Sequence, residues 1–400
     1  MWPGRPTVPD RAWRGVAPAL FVVAWGGNHF APLLLLYRAV EHYSAVQVDL
    51  FFAFYILGLA PGFLLTGPLA DRLGRRPLVV AALVLSVVGS VVLALGSASP
   101  VALCAGRLVS GVSVAAVMVA GTTWVKELSA AAPPGVRARR AALTLTVGFG
   151  LGAAAGGALA QWGPAPTLLP YAVQVALCVV AAVPLARVAE TRPRGTTAAR
   201  PLRQELHLPA RSRPRFLRVV VPMAPWVFGA PALAFVVGPA LVASRTGAYG
   251  IAYAGLAAVV TLTLGAGVQP LVPRLARATR GHQAVVGLVL ATVGTLLLAV
   301  DVRTGSVALA LVAAALLGTS YGICILTGLV ETQALADPGR VAGLTGVYYS
   351  LIYVGFLLPV LLSELARVAH ETVLLVVVAA VCAACAVVVA RGLRVTARPG

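Results

Sequence analysis

The chain has 400 residues and a formal net charge of +19, yet only 11% of its side chains are charged and 60% are hydrophobic. A soluble chain of this length carries roughly a quarter charged residues. With a mean hydropathy of +0.92, this composition excludes a water-soluble globule and makes lipid the solvent.

Repeated apolar runs of membrane-spanning length predict helices, which satisfy their own backbone hydrogen bonds in a bilayer. In chain order the spans fall at 16–37, 47–69, 78–98, 101–124, 141–162 and 167–187, then at 216–242, 249–271, 283–301, 306–330, 341–363 and 370–391. Ten spans remain an alternative if two Gly- or Pro-interrupted runs are re-entrant. The expected fold is therefore an all-α integral membrane protein of twelve helices. Its units are a segment 1–15, a six-helix bundle 16–187, a polar loop 188–215, a second six-helix bundle 216–391 and a tail 392–400. The first run follows Arg5, Arg11 and Arg14 but is long enough to span and lacks a small-x-small cleavage site, so it reads as a retained helix.

Orientation follows from the basic residues. Arg107 lies within a span, and Arg38, Arg245, Arg303 and Arg367 occupy one set of loops. Every other one of the 31 Lys and Arg falls on the opposite side, with both termini. Positive charge stays inside, so both termini are expected in the cytoplasm and the protein in the plasma membrane. The arginines between runs lack interleaved stacking aromatics, so nucleic acid is not an expected partner. The central loop holds many of these arginines; it reads as an orientation signal and flexible linker, or as an anionic-lipid contact. The five cysteines all lie in apolar runs, and C-x-x-C at Cys382 and Cys385 has no charged neighbour, so packing is expected of them rather than redox chemistry.

Residues 67–77, GPLADRLGRRP, set an Asp and three Arg between two apolar runs. Gly67 and Gly74 permit close approach or positive φ, and Pro77 suits a helix start. Asp71 can accept hydrogen bonds from arginines or a helix N-terminus. Laid over the second half, the segment falls on QPLVPRLARAT at 269–279, with Pro273 opposite Asp71 and Ala276 opposite Gly74. A second echo pairs Pro134-Gly135 with Pro338-Gly339-Arg340. Two related halves are the pattern of a repeat-built transporter.

G-x-L-x-D-R-x-G-R-R between spans two and three resembles the signature loop of the major facilitator superfamily; the likeness extends over essentially the whole chain, which resembles the twelve-span drug and metabolite exporters. It implies a cytoplasmic gate in which Asp71 holds the halves together, with Gly67, Arg72, Gly74, Arg75, Arg76 and Glu127 in the network and Glu331 from the tenth span. The second copy lacks the acid, so the latch is expected to be one-sided.

Arg107, in LCAGRLVSGVSVAA, must face a cavity or partner, or snorkel from about two turns deep. R-x-x-x-G with Gly111 resembles the family's fourth-helix motif, which implies a role in proton transfer. His29 is either a proton carrier or a helix-to-helix hydrogen-bonding group. Asp49 is either an N-cap or an outward-facing proton acceptor. Gly148, Gly152 and Gly156 form one helix stripe suited to packing. They also resemble the family's antiporter motif, with Ala153 in place of its proline. Trp25, Asn28, Trp226, Tyr321, Tyr349 and Tyr353 are candidates for the substrate cavity. Pro222, Pro225, Pro231 and Pro239 predict a bent seventh span.

The function expected is secondary active transport by alternating access: proton-coupled efflux of a small hydrophobic or weakly cationic molecule. Proton-coupled uptake of a small metabolite is the alternative within the class. An intramembrane enzyme would need paired Asp, Ser with His, or H-E-x-x-H on the spans, and these are missing; a scaffold would need neither repeat nor latch. Without G-x-x-x-x-G-K-[ST], ATP hydrolysis is not expected. The expected partners are the substrate, protons and the bilayer around a monomer, with no metal or other cofactor.

Overall fold

The computed structural model describes residues 11–132, 134–191, 210–335 and 341–396. These residues are helical, without strands, and form twelve segments long and apolar enough to cross a membrane. The segments are α1 (Ala12–Val40), α2 (Ala45–Ala70), α3 (Arg75–Leu95), α4 (Pro100–Leu128), α5 (Arg140–Trp162) and α6 (Leu169–Ala186). The second set is α7 (Ala210–Leu241), α8 (Ala243–Ala278), α9 (Gln283–Thr304), α10 (Val307–Leu335), α11 (Leu344–Leu365) and α12 (Glu371–Arg394).

Several of these segments depart from regular helix, α1, α7 and α4 among them. In α1, helix runs over Ala17–Asn28 and resumes at Phe30–Val40, so His29 marks a break. Pro32 supplies no N–H to the carbonyl four residues earlier, which loosens the turn. Segment α7 contains π-helical turns at Phe216–Val220 and Leu233–Val237, among the prolines that predicted its bend. Another π-turn, Val117–Gly121, lies in α4. Such turns concentrate at functional sites.

The halves repeat each other's packing. Gly148, Gly152 and Gly156 of α5 lie on α1, where an added methyl would come within 2.4 Å of the carbonyls of Phe21, Trp25 and His29 respectively. In the second half α11 lies on α7 in the same way, with Gly355 against Pro225 and Gly229. Segment α2 meets α4 at Gly58 and Gly111, and α8 meets α10 at Gly265 and Gly318. With little hydrophobic force between helices in lipid, close backbone approach through small residues is what holds such bundles together.

The register of the repeat differs from the sequence alignment. Gly74 has φ +96° and Gly281 has φ +86°, each just before the third segment of its half. The interval between them also separates Pro100 from Val307, which open α4 and α10. The counterpart of Gly74 is thus Gly281, not Ala276. The similarity of the PL-x-x-RL strings had drawn the alignment five residues out of the structural register. The same interval places Ala314 opposite Arg107.

The first and second halves meet along α2 with α11 and α5 with α8. Phe63 stacks on Tyr349 at 5.2 Å, and Phe52 meets Phe356 edge-on at 4.9 Å. Gln161 of α5 accepts from the Ala252 amide of α8 at 3.2 Å and donates to the Ala248 carbonyl.

Candidate functional site

At the arginine-rich face, the helix containing α2 continues to Leu73, through most of the segment expected to be a loop. No residue before Gly74 forces it to end. Gly67 therefore sits inside a helix with nothing within 4 Å of an added methyl, which corrects its expected place at the turn. Gly74, at φ +96° and ψ 170°, makes the turn alone, in a region essentially confined to glycine. The Asp71 side chain, Pro133–Gly135 and Pro338–Arg340 lie outside the described residues or their described side chains.

The first turn of α3 is closed by a group that the sequence did not single out. Glu190 accepts from the amides of Arg75 at 3.0 Å and Arg76 at 2.8 Å. The next residue, Pro77, has no amide hydrogen, so the three leading positions leave no donor unmet. A carboxylate here also faces the positive end of the helix. Glu127 takes the buried Arg75 guanidinium at 3.3 Å and the Thr191 hydroxyl. Arg76 donates to the Ala186 carbonyl at 2.9 Å, and Arg72 is exposed. In the second half, Arg215 holds Glu331 through Nε at 2.9 Å and Nη2 at 3.0 Å. Glu127 and Glu331 thus each pair within their own half. A visible clue was Glu190 itself, a lone acid where α6 ends and the arginine-rich loop begins.

At the centre, Tyr321, Tyr349 and Tyr353 fall in one aromatic cluster shared by the halves. Phe228 of α7 lies 4.3 Å from Tyr353, 4.7 Å from Phe356 and 5.7 Å from Tyr321. Phe63 of α2 contacts Tyr349 and Tyr353 from the other half. The Tyr353 hydroxyl reaches Met118 Sδ, in the π-turn of α4, at 3.6 Å. Trp25 and Trp226 stand outside this group: Trp25 tilts against Phe21 at 5.9 Å, and Trp226 is buried on α7 without a ring contact among the described residues. Asn28 donates to the Phe149 carbonyl at 3.3 Å, tying α1 to α5. Phe63, Phe228 and Phe356 were missed because a lone Phe in an apolar run looks like any core residue.

Arg107 is 1% exposed, which corrects the snorkelling alternative. Its guanidinium is held between the rings of Phe30 and Tyr55, with 4.3 Å to each centroid. Nε and Nη1 have no hydrogen-bond partner, and neither has either ring nitrogen of His29, also 1% exposed. The His29 ring meets Tyr171 edge-on at 5.1 Å, and the Tyr171 and Tyr37 hydroxyls share a hydrogen bond of 2.6 Å.

Asp49 is not the N-cap of its helix. Ser44 and Gln47 form a reciprocal capping box there, and Asp49 lies a turn further in. Its carboxylate faces Ser363 of the second half. Both line a cavity of about 260 Å³ at the arginine-poor face, which Arg38 and Glu371 also line. Among the described residues, no cluster of His, Cys, Asp and Glu is disposed to hold a metal.

Two six-helix halves packed in the same pattern, joined by an aromatic centre and holding a buried guanidinium, define a polytopic membrane transporter of the secondary type. The sequence profile of the Major Facilitator Superfamily matches residues 16–360, and the chain belongs to that family. No curated protein matches the sequence. Among solved structures, a mutant of the peptide transporter POT aligns with a TM-score of 0.76 at 12% identity, over 98% of this chain and 96% of that one. A mutant of the nucleoside transporter NupG gives 0.74 at 12% identity, over 98% and 100%. The human organic anion transporter MFSD10 (TETRAN) gives 0.66 at 16% identity, over 96% and 100%. At these identities the likeness is one of fold.

Proposed function

We propose that the protein exports a small, flat, largely hydrophobic organic molecule across the plasma membrane by alternating access, with both termini in the cytoplasm and protons as the coupling ion. The observation that carries this reading is the aromatic cluster of Phe63, Phe228, Tyr321, Tyr349, Tyr353 and Phe356, which is built from both halves. A site shared by two rocking bundles is exposed first on one side and then on the other, and stacked rings receive a planar ligand with little strain.

Charge placement bears on the substrate. Among the described residues, every acid lies in a loop or within about a turn of a helix end, so none of them stands at the bilayer centre to receive a cation. This favours the hydrophobic part of the expected substrate class over the weakly cationic part. It also makes His29 and Asp49 the proton carriers in this reading, one beside Arg107 and one in the cavity at the arginine-poor face. The glycine stripe of α5 supports export only through its resemblance to the antiporter motif, since its contacts with α1 are packing.

The test is transport in proteoliposomes with an imposed pH gradient, using a labelled flat aromatic compound. Movement against its own gradient, driven by protons moving the other way, supports the proposal. Transport indifferent to the pH gradient would remove the coupling, and co-directional movement would make the protein an importer.

A further inference from the structure

Arg107 is a charge buried about two turns inside α4, and no acid among the described residues forms an ion pair with it. Glu127, further along the same α4, is held by Arg75, and Asp49 of α2 faces Arg38 and Ser363. Its position in the second half is filled by Ala314, so the charge has no symmetry-related counterpart. A bare guanidinium in hydrocarbon costs at least about 2.5 kcal/mol on insertion scales. Two aromatic faces offset part of that, but they leave Nε and Nη1 without acceptors.

The surroundings are also all of one kind. His29 has two unmet ring nitrogens and lies within electrostatic reach of Arg107. Tyr55, Tyr171 and Tyr37 turn hydroxyls, not carboxylates, toward the same region. A fixed cation ringed by an imidazole and hydroxyls that can each donate, with no acid among them, is complementary to an anion. It also adjoins the aromatic centre, because Tyr55, which covers Arg107, lies near Tyr353. The other ring over Arg107, Phe30, is the first residue after the break in α1. A hinge at His29 would lift that cover and admit a ligand.

We infer that Arg107 is the receptor for an anionic group, a carboxylate or its equivalent, on the transported molecule, whose flat part occupies the aromatic cluster. The substrate class is then a small aromatic acid, and the substrate itself is the counter-ion the first half lacks. This rests on the aromatic-site reading proposed above.

The experiment uses the purified full-length protein in detergent and three ligands that share one ring: benzoate, benzamide and benzylamine. Binding is read from ligand-dependent thermal stabilisation and from tryptophan fluorescence titration. Benzoate is expected to bind best, and Arg107→Gln to weaken it by at least about tenfold, the size of a lost charge-assisted pair, while leaving benzamide unchanged. Arg107→Lys, which keeps the charge, should retain part of the benzoate affinity. If both variants fail to fold, the wild-type preference among the three ligands decides. Benzamide or benzylamine binding as well as benzoate, or Arg107→Gln keeping full benzoate affinity, would overturn the inference and leave the aromatic site standing. No binding by any of the three would overturn the aromatic site and this inference together.

Discussion

The ring of Phe63 lies 5.2 Å from that of Tyr349 with 18° between their planes, and through this stack α2 of one half touches α11 of the other. Tyr353, one turn beyond Tyr349, contacts the same phenylalanine at 5.3 Å. One side chain of the first half thus seats two of the second. A movement that separates the bundles on either side must slide or open these pairs.

That position makes Phe63 a direct test of the central site. Phe63→Leu keeps an apolar side chain of similar volume but removes the flat face, a loss of about 0.5–1.5 kcal/mol per ring pair. The expected result is a clear fall in transport and in affinity for flat ligands, with a melting temperature within a few degrees of the wild type. Transport unchanged in proteoliposomes would place the substrate elsewhere.

The two glycines of the 67–77 segment separate conformational need from open space. Gly74 has a backbone conformation that other residues reach only with strain of about 1–3 kcal/mol, so Gly74→Ala should lower the melting temperature and the yield of folded protein. Gly67→Ala adds a methyl into open space within a helix, where alanine is favoured by about 1 kcal/mol, so stability should hold or rise. Gly281→Ala should repeat the Gly74 result, since Gly281 has φ +86° at the matching turn of the second half. Paired thermal unfolding of the three variants checks all of this. Equal stability of Gly74→Ala and Gly67→Ala would contradict it.

Glu190 offers a test on the arginine-rich face. Its carboxylate closes the first turn of α3 through the Arg75 and Arg76 amides. Glu190→Ala should destabilise by about 1 kcal/mol, as losses of helix caps do, and Glu190→Gln by less, since its one amide oxygen still accepts from one of the two amides. Thermal unfolding at low and high salt distinguishes the two contributions: the part due to helix-end charge shrinks as salt screens it, and the hydrogen-bond part remains.

Much of this architecture was readable from the sequence because bilayer thickness imposes a length on each apolar run, and the twelve expected spans overlap α1 to α12 one for one. The glycine stripe of α5 was readable for a similar reason: a spacing of four residues is one helix face, and small residues there have few other uses. Less legible was anything set by the partner across a gap. Glu190 and Thr191 sit next to a segment that reads as linker, and only the fold brings them onto Arg75, Arg76 and Glu127. Phe63 and Phe228 have the same apolar character as their neighbours in sequence, and it is the meeting of halves that makes them a site. Of the two readings of Asp49, the N-cap fails for a local reason, since Ser44 and Gln47, just before it, satisfy the helix start first. Register within the repeat was misread because five matching letters outweighed a glycine whose φ could not be seen.

The stripe on α5 yields the sharpest structural expectation. A methyl added at Gly152 would stand 2.4 Å from the Trp25 carbonyl oxygen and 2.7 Å from its Cα, both backbone atoms of α1 that cannot turn aside. Gly150, two residues earlier on the same helix, has nothing within 4 Å. Gly152→Val should therefore push α1 from α5, displacing the break at His29, which rests on Gly156 one turn further along. The expected outcome is loss of the monodisperse peak in detergent size-exclusion chromatography, or its survival with transport abolished. Gly150→Ala should behave as wild type in both measurements. If Gly152→Val were as stable and as active as Gly150→Ala, the close approach of α1 and α5 would not be what holds the first half together.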